Sequence, residues 1–311
     1  DDDDFIPLNM IRVSCACHTI QLALKDLKKE DKFYRSLIQT MKSIPAKMSL
    51  LTRKQLKQYE IPFFPPIQSQ RWNSVFICLN YIVFNIGAVI KLFGPNEMYS
   101  FQMIELLKLQ KELAPIYDFT TKCESDHYNQ ANVFIAYRIL EVELVTLNSP
   151  RSLKILELVR NRFNSTANIN ISKLCYFVTN AGISEKREIY PHVDEHGIVD
   201  PNSEDAEKLD KEIKFINSFT DTINYICEKI SYDSRIIIDA FETLMKFYIP
   251  DSNDINDFPK KKDLCVIFNE INEGDKSYII LANFIEILQV LPASEAACER
   301  VFARMRDLYK T

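Results

Sequence analysis

Four short stretches of this sequence hold residues that could do chemistry. CACH, Cys15 to His18, brings two thiols and an imidazole close together and could ligate a metal. Zinc sites usually draw on two separated ligand pairs, however, and no second Cys or His pair lies at a suitable spacing, so zinc is not expected. QRWNS holds the single tryptophan, Trp72, beside Arg71 and just after a run of prolines. On its own such a residue serves as a core anchor at the head of a helix, because tryptophan buries a large area. Between Lys25 and Lys57 ten lysines and arginines stand against three acids, Asp26, Glu30 and Asp31, an excess of seven. A stretch of that kind can contact phosphates, although a charge run is more often a solvated face. The fourth stretch, LPASEAACERVFARMRDL from Leu291 to Leu308, sets the carboxylate of Glu299 beside the guanidinium of Arg300. Spacing alone makes Glu299 a helix-surface glutamate paired with a nearby arginine.

Those residues need a frame to position them, and composition limits what the frame can be. With 311 residues, 47% of them hydrophobic, the chain can bury a sizeable core and exceeds one compact domain, unless one domain carries a large insertion. Only five glycines argue against a glycine-rich phosphate loop or a many-turned β-sandwich, so helix should dominate. A formal charge of −5 and a pI near 5.6 exclude a protein that coats nucleic acid over its whole surface and leave room for a local basic face. No membrane span is expected: the longest apolar window, Val75 to Phe93, contains Asn80, Asn85 and Lys91. Asp1 to Asp4 lack a secretory layout, so the eight cysteines are expected in a reducing compartment, mostly as buried thiols.

Periodicity gives the elements. Ile11, Val13 and Cys15 alternate as in a strand, and helical spacing takes over from about Thr19. The prolines of EIPFFPPIQSQRWNS predict a loop, after which Asn73 or Ser74 could cap a helix over Val75–Leu92. Further helices are expected over Tyr99–Leu113, Ala131–Leu147, Pro150–Phe163, Ile213–Ile230 and Arg235–Tyr248, with Pro115 opening a loop that runs to Gln130. KLCYFVTNAG is ambiguous, and IPDSNDINDFPKKKD reads as a linker. Ile279 to Val290 is apolar on nearly every side and must be buried, as a helix or strand of the core or against a second subunit. The economical picture is one α/β core interrupted by a helical insertion.

Three pieces, in this order, resemble one family, the hAT superfamily (hobo, Activator and Tam3) of DNA transposases. CACHTIQLALKD resembles its Cys-x-x-His segment, with Cys15 and His18 in the pattern positions; QRWNS resembles its Arg-Trp motif, with Arg71 and Trp72; LANFIEILQVLPASEAACERVFARMRDL is similar to its C-terminal signature, with Glu299, Arg300 and Phe302. Cys298 and Ala303 stand where the family usually has serine. The resemblance implies an α/β ribonuclease-H-like core, incomplete here, and a chain that is mostly α because of a large all-helical insertion. Residues 1–28 would be the truncated end of that core, 29–276 the insertion, and 277–311 the returning core helix with the dimerisation region.

The resemblance further implies metal-dependent DNA cleavage and strand transfer. Glu299 would be the third catalytic acid and a ligand of Mg2+ or Mn2+, since carboxylates in two-metal sites hold the cations that stabilise attacking and leaving oxygens. The first two acids of the family precede the Cys-x-x-His segment by more than the residues available here, and Asp1 to Asp4 read as a solvated lead-in, so this chain alone is expected to be inactive. Trp72 would stack on an unpaired base, with Arg71 on phosphate and His18 close to the active site. The implied partners are DNA (transposon ends, hairpin or flanking DNA) and a second copy of the chain, and the implied location is the nucleus. Two alternatives stand beside it: a host-adopted, non-catalytic nuclear DNA-binding and dimerisation module, and a helical interaction protein with chance motifs.

Overall fold

The computed structural model describes residues 13–48, 53–58, 72–93, 97–125, 128–165, 168–189, 204–274, 276–291 and 293. Among them the chain is mostly α, with fourteen helices and no strand. In order these are α1 (Ala16–Glu30), α2 (Lys32–Met48), α3 (Arg53–Gln58), α4 (Trp72–Phe84), α5 (Ile86–Phe93), α6 (Glu97–Cys123), α7 (Gln130–Leu147), α8 (Pro150–Ser165), α9 (Asn168–Phe177), α10 (Asn180–Ile189), α11 (Glu204–Ile230), α12 (Ser234–Phe247), α13 (Lys261–Ile271) and α14 (Ser277–Gln289). Of the segment whose alternation predicts a strand, only Val13 to Cys15 are described, and they are irregular. The helix that follows starts at Ala16, earlier than the sequence suggests, because Cys15 is already extended (φ −60°, ψ 122°) and its carbonyl accepts from Thr19.

Two compact units emerge from the packing, and they cut the chain at other places than the sequence-based boundaries. The first comprises Cys15–Ser125 and Ala136–Ser165. Its centre is α1, packed on α8 and α6, with α4 laid along α6. Ile20, Ala23, Leu24 and Leu27 fall on one face of α1 at helical spacing and are buried, while Lys25, Lys28 and Lys29 are exposed on the other. Polar ties join α1 to α8: Arg162 Nε donates to Asp26 Oδ2 at 2.7 Å, and Lys154 Nζ lies 2.9 Å from Glu30 Oε2. Arg151, at the start of α8, reaches the buried Glu112 of α6, which also accepts from Ser149 Oγ at 2.6 Å. A buried carboxylate is tolerable only when charged and polar partners replace its lost water, and these two do so.

Two sequence expectations in this unit are corrected. α6 does not stop before Pro115 but runs through it to Cys123. Leu109, Leu113, Ile116, Phe119 and Cys123 continue the buried stripe at spacings of three and four, and Pro115 is itself buried, so packing outweighs the lost backbone bond, which costs about 3 kcal/mol in a helix interior. The apolar run after Trp72 is two helices, not one: Asn85 turns the chain, its side chain donating to Tyr81 O at 2.8 Å, a local bond with which asparagine competes against helix continuation.

The second unit takes the described residues up to Ser14, residues 126–135, which include the start of α7 (130–135), and the described residues from 166 onward. The ambiguous KLCYFVTNAG segment is the corner between α9 and α10. Thr179 caps α10, accepting from Gly182 N at 3.0 Å while donating to Tyr176 O at 2.7 Å. The segment after α12 is irregular to residue 260, as the sequence suggests for a linker, and it is pinned to that corner. Buried Asn180 accepts from Tyr248 Oη at 3.1 Å, donates to Asp251 Oδ1 at 3.2 Å, and its backbone N–H meets Asp257 O at 2.8 Å. Ile255 and Phe258 pack on the core below, which explains why a polar, proline-containing stretch is ordered. The apolar run after Ser277 is helix α14, ruling out the strand alternative; Leu281, Phe284, Ile285 and Leu288 are buried within this unit, against α12, α13 and α9.

Candidate functional site

The first unit contains the junction where two of the sequence motifs come together. Cys17, the second residue of α1, is buried, and its thiol donates to Thr120 O on α6 at 3.5 Å. Thr120 in turn donates from Oγ1 to Asn73 Oδ1 at 2.8 Å, and Asn73 Nδ2 donates to Glu124 Oε2 at 3.2 Å. Asn73 is the second residue of α4, immediately after Trp72. The CACH segment and the QRWNS segment thus both meet Thr120 near the end of α6, and Asn73 also reaches Glu124 just beyond it. Behind this contact Phe76 stacks on Tyr117, ring centroids 4.7 Å apart, and fixes α4 along α6.

The sequence motifs did not reveal Thr120. It carries no motif and lies 103 residues from Cys17, so only tertiary packing shows that it joins the two segments. Asn73 appears in the sequence as a helix cap, yet in the structure it lies within the first turn and its side chain crosses to α6. A helix-capping signal and a tertiary hydrogen bond use the same short amide, and sequence cannot tell them apart.

Around the junction the expected site residues fall as follows. His18 is exposed on α1, its imidazole open to solvent. Cys15 is half-buried at the N-cap position of α1, without a side-chain capping bond. Trp72 is described by its backbone alone, as the first residue of α4; Arg71, Glu299, Arg300 and Phe302 lie outside the described residues. Within the basic stretch Lys29 pairs with Asp26, while Glu30 is taken up by Lys154 of α8; Lys25, Lys28, Lys42, Lys54 and Lys57 are exposed and make no ion pair among the described residues. Arg162 beside Asp26 holds that carboxyl below the usual range, so the acid is charged and satisfied within the fold.

No protein-family model matches this chain, and no curated protein matches it significantly. Function therefore rests on the residues themselves. Among the described residues no group of three or more His, Cys, Asp or Glu is placed to hold a metal ion, and no helix is long and apolar enough to cross a membrane. With Glu299 outside the described residues, Mg2+ or Mn2+ is implied by the family resemblance alone.

Proposed function

We propose that this chain is the C-terminal part of a hAT-type transposase, or of a protein derived from one, and that its first unit handles DNA carrying unpaired bases. The observation that carries this reading is the convergence on Thr120: the two segments that resemble the family's Cys-x-x-His and Arg-Trp motifs, remote in sequence, hydrogen-bond to one residue. In this reading His18 and Trp72 flank a common site, Arg71 meets phosphate, and the exposed lysines of α1 to α3 supply further phosphate contacts. The ribonuclease-H-like core, Glu299 as its third acid, the divalent metal, self-association and a nuclear location belong to the same proposal. The mostly helical fold supports an insertion of the expected kind.

Binding of the chain to a hairpin-tipped duplex and to the same duplex with blunt ends, over a salt series, tests this. The reading expects tighter binding to the unpaired-base substrate, weakened in Trp72→Ala by roughly 1 to 3 kcal/mol for one stacked base, with the helical signal unchanged. Equal binding to both DNAs, or none at low salt, overturns it.

A further inference from the structure

We propose that the elbow between α1 and α2 is a second nucleic-acid site of the first unit, holding a single strand with its phosphates on a row of lysines and one base on Phe33. The choice of nucleic acid among polyanions rests on the proposed DNA handling. The site itself does not, since Phe33 belongs to none of the three motif segments.

Charge is sorted at this elbow. All three acids of the basic stretch are drawn to α8: Asp26 accepts from Arg162, Glu30 lies 2.9 Å from Lys154 Nζ, and Asp31 Oδ2 lies 3.7 Å from Arg151 Nε. The α8 cations thus offset the acids, and Lys25, Lys28, Lys32 and Lys42 are exposed and pair with no acid among the described residues. The second helix, α2, contains no acid at all. The row is also held in place before any ligand arrives. Arg35 Nε donates to Lys28 O at 2.9 Å and its Nη2 to Lys29 O at 2.7 Å, closing the end of α1, while Asp31 Oδ1 accepts from Tyr34 N at 2.8 Å and starts α2. A preformed turn spares a ligand the cost of ordering it.

Beside the row an open cleft of about 600 Å³ is lined by Glu30, Asp31, Lys32, Phe33 and Lys154. Lys154 is shared between Glu30 and Glu157, so Lys32 is the cleft's unpaired cation. The Phe33 side chain is 41% exposed, with the Arg151 guanidinium over its ring, 5.7 Å from the centroid. Cations that track a backbone, with an aromatic ring on which a base stacks, are the combination that binds single strands without regard to sequence. An acidic peptide would be served by the lysines alone. A lipid surface would need an exposed apolar helix face, whereas Ile20, Leu24, Leu27, Leu37, Ile38 and Met41 are all buried.

Fluorescence anisotropy of a linear oligothymidine and of an abasic strand of the same length, titrated with the full chain over a salt series, tests the site. Tighter binding of the thymidine strand is expected, weakened about fivefold or more by Phe33→Ala, the low end of one base–aromatic stack, and kept by Phe33→Trp. Lys28→Ala combined with Lys32→Ala should flatten the slope of log K against log salt by about 1.4, because each single-strand phosphate contact contributes about 0.7. The same Phe33 effect is expected in a Trp72→Ala background. All these side chains at the elbow are exposed, so an unchanged helical signal is expected of the variants. Equal binding of the two strands, binding indifferent to Phe33→Ala, or a slope untouched by the lysine pair overturns the elbow site, whatever the hairpin comparison gives. A Phe33 effect beside equal binding of hairpin-tipped and blunt duplex upholds the elbow and removes only the reading built on Trp72.

Discussion

At the scale of single residues, Asp26 shows how a charge in this protein becomes a statement about stability. It accepts from Arg162 of α8 and pairs with Lys29 of its own helix, with its side chain only 16% exposed, and these partners lower its pKa in the folded state, Arg162 most. A depressed carboxyl contributes stability that is fully present above its unfolded value, near 3.9, and is lost as pH falls through the lower folded value. Asp26→Asn should therefore cost about 1 kcal/mol at neutral pH, a modest figure because Arg162 is partly in water. The gap between mutant and wild type should close as the pH drops below about 4. Urea midpoints at pH 7, 5 and 3 measure this, and a gap that persists undiminished at pH 3 would remove the ion pair as its cause. The same residue marks what sequence conceals: Asp26 reads as one acid in a lysine-rich run, and its partner lies 136 positions away.

At the scale of elements, the corner between α9 and α10 leaves no room for a side chain at Gly182. A Cβ built on Gly182 would stand 2.2 Å from Tyr176 O and 2.7 Å from Phe177 Cα, both backbone atoms that cannot swing aside. Gly182→Ala must therefore shift α10 against α9, disturbing the Thr179 cap and the Asn180 contacts that hold the 248–260 loop. A loss of about 1 to 3 kcal/mol is expected, as for overpacking that moves backbone. By contrast Gly87→Ala, with nothing within 4 Å, should be neutral or stabilising because it sits in helix α5. Denaturant unfolding of the pair checks both signs. Sequence shows the existence of these helices well, since their apolar periods are strong, but not their ends. Pro115 fails to stop α6, because buried neighbours override local punctuation, and IPDSNDINDFPKKKD, an irregular connection as read, is packed on the core through Ile255 and Phe258. The candidate site is legible only in part, for the same reason. His18 and Trp72 stand in recognisable patterns, while Thr120, which both segments meet, looks like any other helix residue.

At the scale of the whole molecule, the order of the chain does not match the order of its compact units. The first unit is interrupted at 126–135, and the start of α7, residues 130–135, serves the core of the second. Gln130 accepts from Ser172 Oγ at 2.5 Å; Ala131 is fully buried; the Phe134 ring lies 5.3 Å from Tyr176 and 6.1 Å from Phe177. The remainder of α7 belongs to the first unit, where Tyr137 packs on Phe163. A fragment starting at residue 166 would keep α9 to α14 yet lose this turn of α7. It would leave the Ser172 hydroxyl without its buried acceptor and the Tyr176 and Phe177 rings facing water. Removing a phenylalanine side chain from a core costs about 3 to 5 kcal/mol, comparable to the whole stability of a marginal domain. The 166–311 fragment should therefore be poorly folded alone, and a fragment extended back to residue 126 should recover cooperative thermal unfolding by circular dichroism. If both fragments unfold at the same temperature, the start of α7 is dispensable and the second unit begins at residue 166.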